Sequence, residues 1–369
     1  MIPVNIPRLS GNEKKYLNEC IETGWISSEG SFVSRFEAEF SSYIGQDYGI
    51  AVSNGSAALD VAIKALDLEK GSEVICPTFT IISPVQSIVN QGLVPVLIDS
   101  NLDTWNMEVN QIENKITSKT KAILVVHIYG LPVEMDAILQ LAKTYNLKVI
   151  EDAAEMHGQT CNTQKCGAFG DISIFSFYPN KHITTGEGGM ILTSDEALAE
   201  RCKKLRNLCF EKERRFVHNE IGWNYRMTNM QAALGVAQLE QIDDIIERKR
   251  AIGKRYNDLL KNKINLQLPL AQTEYSQNIY WVYGLLARTE AECSRIQKEL
   301  NQLKIGTRPF FWCMHEQPVF NKMGLFKSEH HPVAEKMART GFYIPSGLGL
   351  ANEEIEIVAD SLIKIVSNG

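Results

Sequence analysis

Three short stretches carry residue types able to do chemistry together. The first is Phe175-Ser176-Phe177-Tyr178-Pro179-Asn180-Lys181-His182-Ile183-Thr184-Thr185-Gly186-Glu187-Gly188-Gly189, with a single lysine and three glycines within four positions. A lysine amine is a nucleophile toward carbonyl carbon, and glycines let the backbone approach a bulky, flat partner closely. The second is Glu151-Asp152-Ala153-Ala154-Glu155, which places Asp152 at the end of an apolar run. A carboxylate there is costly unless it meets a partner. The third is Ser53-Asn54-Gly55-Ser56-Ala57-Ala58-Leu59, where a strand pattern turns into a helix pattern. The unpaired N–H groups and positive dipole end of a helix start there could seat a phosphate. Each stretch alone has a plainer reading. Lys181 could be a solvated lysine on a hairpin, Asp152 a helix N-cap, and Ser53 or Asn54 a cap that explains its own segment.

The elements that position these residues alternate. Strand patterns are expected at Tyr48–Val52, Glu73–Cys76, Val94–Asp99, Lys121–His127, Lys148–Asp152, Asp171–Phe177 and Met190–Thr193. Helical patterns fall at Asn12–Thr23, Phe32–Tyr43, from Ser56 to about Leu66, Val85–Asn90, Glu134–Tyr145 and Ala197–Leu205. The first of these is expected to turn Tyr16, Leu17, Cys20 and Ile21 inward. Lys121–His127 is almost wholly apolar, as a strand buried on both faces should be. This order predicts a mainly parallel central sheet flanked by helices, with ligands outside the carboxyl ends of its strands. Thr228-Asn229-Met230-Gln231 has the form of a capping box and is expected to open one long helix to about Leu260. Beyond it, strands at Asn278–Leu286 and Ile305–Phe311, and helices at Thr289–Leu303 and Asn352–Val366, predict a smaller α+β domain. The expected division is a large domain over residues 1–250 and a C-terminal one over 251–369.

Composition narrows the function classes. The 369 residues carry 38 basic and 44 acidic side chains, a net charge of −6 with both signs interspersed, which disfavours a nucleic-acid surface. No apolar run approaches the roughly 20 residues of a membrane span, and the first residues do not read as a signal sequence. The eight cysteines are scattered without CxxC, so zinc is not expected, and reduced thiols in a cytoplasmic protein fit best. No GxGxxG follows the first strand, which argues against a nicotinamide-binding oxidoreductase.

Pyridoxal 5′-phosphate needs all three stretches at once. Its phosphate wants helix N–H groups and hydroxyls, its aldehyde an amine, and its ring nitrogen a carboxylate that keeps it protonated. The arrangement resembles the sugar-nucleotide aminotransferases of the DegT/DnrJ/EryC1/StrS family, over essentially the whole chain. Trp25-Ile26-Ser27-Ser28, Glu151-Asp152-Ala153-Ala154-Glu155, the Lys181 loop and Gly222-Trp223-Asn224-Tyr225-Arg226-Met227-Thr228-Asn229 carry the likeness. The resemblance implies an aspartate-aminotransferase-like (type I) α/β fold and transfer of an amino group from L-glutamate, which leaves as 2-oxoglutarate. The acceptor would be C4 of a nucleotide-linked 4-keto-6-deoxy sugar, destined for O-antigen or other surface polysaccharide.

Carried over by motif, Lys181 is the Schiff-base and proton-transfer residue, Asp152 pairs with the ring nitrogen, and Glu155 lies beside the phenolic oxygen. Ser56, Ala57 and Ser176 hold the phosphate, and Ile81 covers the ring where many relatives have an aromatic residue. Asn224 reaches the phosphate of a partner subunit, which implies a homodimer with a shared site. Trp25, Ser27, His127, Tyr129, Arg308 and His315 are the expected sugar-nucleotide contacts. The loop is also similar to that of the family's 3-dehydratases, in which a histidine replaces the Schiff-base lysine. Here Lys181 holds that position and His182 is its neighbour, so amination is favoured. Other readings left open are a UDP- or dTDP-linked sugar as acceptor and a cofactor-binding regulatory protein. The remaining expectations are structural: Trp105, Trp281 and Trp312 as core or interface anchors, His330-His331 as a surface turn, and Glu247-Arg248-Lys249-Arg250 as a solvated helix face.

Overall fold

The structure is a computed structural model that describes residues 1–211 and 213–368. Two helices, α1 (Glu13–Thr23) and α2 (Ser31–Ile44), lead into an alternating series. It runs β1 (Tyr48–Val52), α3 (Gly55–Ala65), β2 (Glu73–Pro77), α4 (Ser83–Asn90), β3 (Val94–Ile98), β4 (Thr120–Val126), α5 (Met135–Tyr145) and β5 (Lys148–Asp152). A short hairpin, β6 (Thr160–Cys161) and β7 (Gln164–Lys165), precedes β8 (Ile172–Ser176), β9 (Gly189–Thr193) and α6 (Glu196–Arg206). After α7 (Asn229–Leu239) and α8 (Ile242–Leu260) come β10 (Tyr283–Leu286), α9 (Glu290–Gln302), β11 (Arg308–Pro309), α10 (Pro318–Lys322), α11 (Pro332–Thr340), β12 (Gly341–Ile344) and α12 (Asn352–Ser367).

Seven strands form the central sheet in the order β1-β9-β8-β5-β4-β2-β3. Every pair is parallel except those made by β9, so one strand runs against the rest. The expected mainly parallel α/β sheet is what the chain forms. β4 is buried at each position except Lys121, which explains its unbroken apolar run. Val52 and Ser176 both pair with Gly189, and Val126 pairs with Asp152. The carboxyl ends of β1, β8, β5 and β4 therefore gather at one edge of the sheet, beside the start of β9.

Tertiary contacts override local pattern in several places. The helix expected to run to Leu260 is two helices that part at Gln241, whose φ of −113° leaves the helical range, while the Glu240 side chain before it bonds Tyr16, Asn12 and Arg35. Its capping box is present, with the Thr228 hydroxyl accepting from the Gln231 N–H. Thr228→Ala is expected to cost about 1 kcal/mol in urea unfolding, whereas Thr228→Ser, which keeps the capping hydroxyl, should be close to neutral. Ile21 is 62% exposed and Glu13 is buried on α1 instead. The expected strand from Asn278 begins only at Tyr283, since Asn278 Oδ1 accepts from the Tyr280 N–H and turns Tyr280 to φ 49°. The expected strand over Ile305–Phe311 shrinks to Arg308–Pro309, where proline lacks a ladder donor.

β10, β12 and β11 form a second, antiparallel sheet. A hydrophobic cluster that includes Tyr256, Tyr283, Ile296, Phe342 and Ile355 joins it to α8, α9 and α12. The boundary expected at residues 250/251 falls inside α8, which serves both parts of the chain.

Candidate active site

Lys181 lies in the connection between β8 and β9, so the hairpin reading is correct in topology and wrong about solvent. Its side chain is only 10% exposed. The loop is closed by its own backbone: Lys181 N–H donates to Tyr178 O (2.9 Å), and the Thr185 N–H and Thr184 hydroxyl donate to Phe177 O (3.0 and 2.9 Å). The amine stands 3.7 Å from Glu155 Oε1 and 3.9 Å from the centre of the Trp281 ring. Burial lowers its pKa, against the pull of Glu155 and Asp152 in the other direction. That shift favours the neutral, nucleophilic amine. His182 is enclosed beside His157, with ring centroids 5.8 Å apart, and burial holds it well below the usual histidine range.

Two carboxyls flank the amine from the end of β5 and the turn after it. Asp152 Oδ1 accepts from the Ala154 N–H (3.1 Å), and burial raises its pKa to about 6. Glu155 Oε2 accepts from the Tyr129 N–H (2.7 Å), and burial raises it to about 8, with Lys181 opposing. Glu151, one residue before Asp152, faces the other way. Burial pushes its pKa up, but His127 and the N–H groups of Gly167 and Phe169 bring it below the usual range. Alternation along the strand thus sends one carboxylate to a structural network and its neighbour to the site.

Asn54 is the N-cap of α3, and its side chain accepts from the Ala57 N–H (2.8 Å). Within the expected phosphate set, the Ala57 N–H donates to its own cap, whereas the Ser56 N–H has no partner among the described residues. The Ser56 hydroxyl is exposed and bonds to that of Ser83 (2.7 Å), which opens α4. Ser83 was not anticipated; the only hint in the sequence is that it precedes Pro84 at a helix start. A Cβ on Gly55 would lie 2.8 Å from Ser176 Cβ, and one on Gly189 would lie 2.5 Å from Asn54 O. Glycine at both positions lets the start of α3 pack directly on Ser176 at the end of β8 and on the start of β9.

The expected sugar-nucleotide contacts separate into two groups. Trp25, Ser27 and Arg308 are exposed, as is Ile81 at 51%. His127 is fully buried: its Nε2 pairs with Glu151 (3.1 Å) and its Nδ1 accepts from the Val133 N–H (3.0 Å). Tyr129 is enclosed among Phe310, Phe311, Trp105 and Trp281, and its hydroxyl accepts from the Phe311 N–H (3.1 Å). His315 is 4% exposed, held by Thr78 (2.8 Å) and Glu335 (3.1 Å). The side chains of these three are therefore occupied inside the protein, and Tyr129 serves the site through its backbone N–H. Arg308 lines a cavity of about 500 Å³ with Asn180, Trp281, Tyr343 and residues of the N-terminal segment.

Asn229 has a positioning part that the capping-box reading passed over. Its side chain donates to Trp25 O (2.7 Å) and accepts from the Phe32 N–H (2.9 Å), and its N–H donates to Ser27 O (2.7 Å). The start of α7 thereby fixes the exposed Trp25–Ser27 loop. Of the three tryptophans expected as anchors, Trp105 and Trp281 are buried, but Trp312 is 42% exposed. His331 is buried against His315, at 4.8 Å between centroids, rather than lying in an open turn.

These donors suit pyridoxal 5′-phosphate. They comprise a desolvated amine, a buried carboxylate with one backbone bond, and a helix start with an unpaired N–H beside two serine hydroxyls. The chain matches the DegT/DnrJ/EryC1/StrS aminotransferase family over residues 7–363 and belongs to it. It is a pyridoxal-phosphate-dependent aminotransferase. It is 43% identical over 368 residues to the GDP-perosamine synthase of Escherichia coli O157:H7, covering 100% of this chain and 99% of that one. The GDP-perosamine synthase of Vibrio cholerae is 37% identical over 367 residues, with 98% of each chain covered. Among solved structures, an aminotransferase from Psychrobacter cryohalolentis superposes with a TM-score of 0.90 at 30% identity, over 98% of both chains.

Proposed function

We propose that this chain transfers the amino group of L-glutamate to C4 of GDP-4-keto-6-deoxymannose, giving GDP-perosamine for O-antigen or a related surface polysaccharide. The observation that carries amino transfer is the enclosure of the Lys181 amine between Glu155 and the Trp281 face. The choice of sugar is supported by the full-length likeness to relatives bearing the GDP-perosamine synthase name.

Bound pyridoxal phosphate supplies the aldehyde that takes up the amine and a ring that draws electrons from the carbon exchanging a proton. The protein's own groups do the rest. Ser56 and Ser176, with the positive end of α3, hold the phosphate. Asp152 would keep a proton on the ring nitrogen, since a carboxylate close by favours the cationic ring. Glu155, held by the Tyr129 N–H, would be the residue beside the phenolic oxygen. Lys181, whose charged form is disfavoured by burial, would take a proton from the donor's α-carbon and return one to the acceptor's C4, which fixes the stereochemistry there.

Ser56, Ile81 and Asn224 are exposed in the single chain. Their position supports a homodimer in which the partner's Asn224 completes the phosphate site. Among the described residues no helix is long and apolar enough to cross a membrane. All eight cysteines are buried and free of disulfides, which supports a cytoplasmic setting.

The test is an assay of the purified protein with L-glutamate and GDP-, UDP- or dTDP-linked 4-keto-6-deoxy sugars. The expected outcome is 2-oxoglutarate and aminosugar, fastest with the GDP-linked acceptor. Preference for another nucleotide would replace the substrate assignment, ammonia release would indicate a dehydratase, and a bound chromophore without transfer would indicate a regulator.

A further inference from the structure

We propose that Lys249 is a positioning residue for Lys181, acting as a single tie on which two routes to the catalytic loop converge. Lys249 projects from α8 into the interior and is 3% exposed, although Arg248 and Arg250 beside it are partly open. Its Nζ donates to Trp281 O (3.0 Å) and Ser346 O (2.6 Å). Among the described residues no carboxylate pairs with it, and burial alone pushes its pKa down to about 7. An isolated buried amine is a poor way to stabilise a core. What it holds accounts for its presence.

The first route runs through Trp281. The indole N–H of Trp281 donates to the carbonyl of Asn180 (2.8 Å), the residue before Lys181, and the ring face carries the Lys181 amine at 3.9 Å. The second runs through Ser346, whose N–H donates to Val4 O (3.1 Å). The next residue, Asn5, donates from its side chain to Pro179 O (3.0 Å). Pro179 and Asn180, the two residues before the catalytic lysine, are thus each fixed by a carbonyl contact that traces back to one amine. Arginine could supply the same two donors, whereas methionine fills the space and supplies none. The tie belongs to this chain's own hydrogen bonds, and its role in turnover rests on the aminotransferase reading.

The experiment compares Lys249→Met, Lys249→Arg and a control, Lys254→Met, whose lysine lies exposed on the same helix in an ion pair with Asp258. Hydrogen exchange on the holoenzyme should show the amides of Tyr178, Asn180, Lys181 and His182 exchanging about tenfold faster in Lys249→Met than in wild type or the control. Its kcat should fall roughly tenfold to a hundredfold, with KM for glutamate changed less than about twofold. Lys249→Arg should recover most of both. If Lys249→Met does not fold, Lys249→Gln, which keeps a short donor, takes its place in the same comparison. Unchanged exchange at 178–182 with unchanged kcat would overturn the proposal whatever happens to Tm, as would an arginine variant no better than methionine. Absence of amino transfer in the wild type would instead defeat the functional reading, and the exchange data would still judge the tie.

Discussion

Lys181→Ala abolishes amino transfer while leaving the fold in place. The expected loss in turnover is about 10⁴-fold or more, because one substitution removes both the amine that captures the aldehyde and the group that moves the proton. The absorbance band of bound cofactor above about 400 nm, which L-glutamate bleaches in the wild type, should be lost with it. Global stability should change little. The lysine is enclosed at a cost in desolvation, and its partner Glu155 has its pKa raised by burial to about 8, so it is largely protonated near neutrality without the amine. The Trp281 ring loses its contact with the amine, and the desolvation cost of enclosing that amine is released with it. Spectra, turnover and urea unfolding of one preparation check all three expectations. Turnover and band both surviving in Lys181→Ala would remove the lysine from the mechanism.

The stretches that meet at the candidate site were legible because each combines a special backbone demand with a charged or polar residue. Gly186, at φ 82°, and the closely packed Gly189 mark the turn that carries Lys181, and the end of an apolar strand marks Asp152. The central sheet was legible for the same reason that it is stable: its strands are buried on both faces and cannot be mistaken for amphipathic helices. What was not legible is direction. His127 and Tyr129 follow β4 at the right edge of the sheet, yet His127 turns to Glu151. Tyr129, at φ 56°, turns its ring into the aromatic cluster. Spacing places a residue at an edge, and only packing decides where its side chain goes. Lys249 shows the converse. Its surroundings, Glu247-Arg248-Lys249-Arg250, read as a charged face, but it lies on the inward stripe of α8 with Ile242, Ile245, Ile246, Ile252 and Tyr256. The helical period contained that information, and charge obscured it.

Asp152→Asn should move stability and function in opposite directions, which separates a catalytic carboxylate from a structural cap. The folded Asp152 carboxyl, at about 6, titrates above its unfolded value near 3.9. A raised carboxyl pKa means that the folded state holds the proton more tightly. The relative stabilisation is therefore complete below about pH 4 and is lost as pH climbs through about 6. At pH 8 the wild-type apoenzyme carries the whole cost of the buried charge, on the order of 2–3 kcal/mol. Asparagine keeps an oxygen for the Ala154 N–H and carries no charge. The apoenzyme of Asp152→Asn should accordingly unfold at higher urea than the wild type at pH 8, with the difference shrinking toward pH 4. With cofactor the sign reverses, because a neutral amide cannot hold a proton on the ring nitrogen. Turnover should fall by about 10²–10³-fold and the cofactor should dissociate more readily. A helix cap would behave differently: asparagine caps as well as aspartate, so a purely structural Asp152 predicts little change in either measurement.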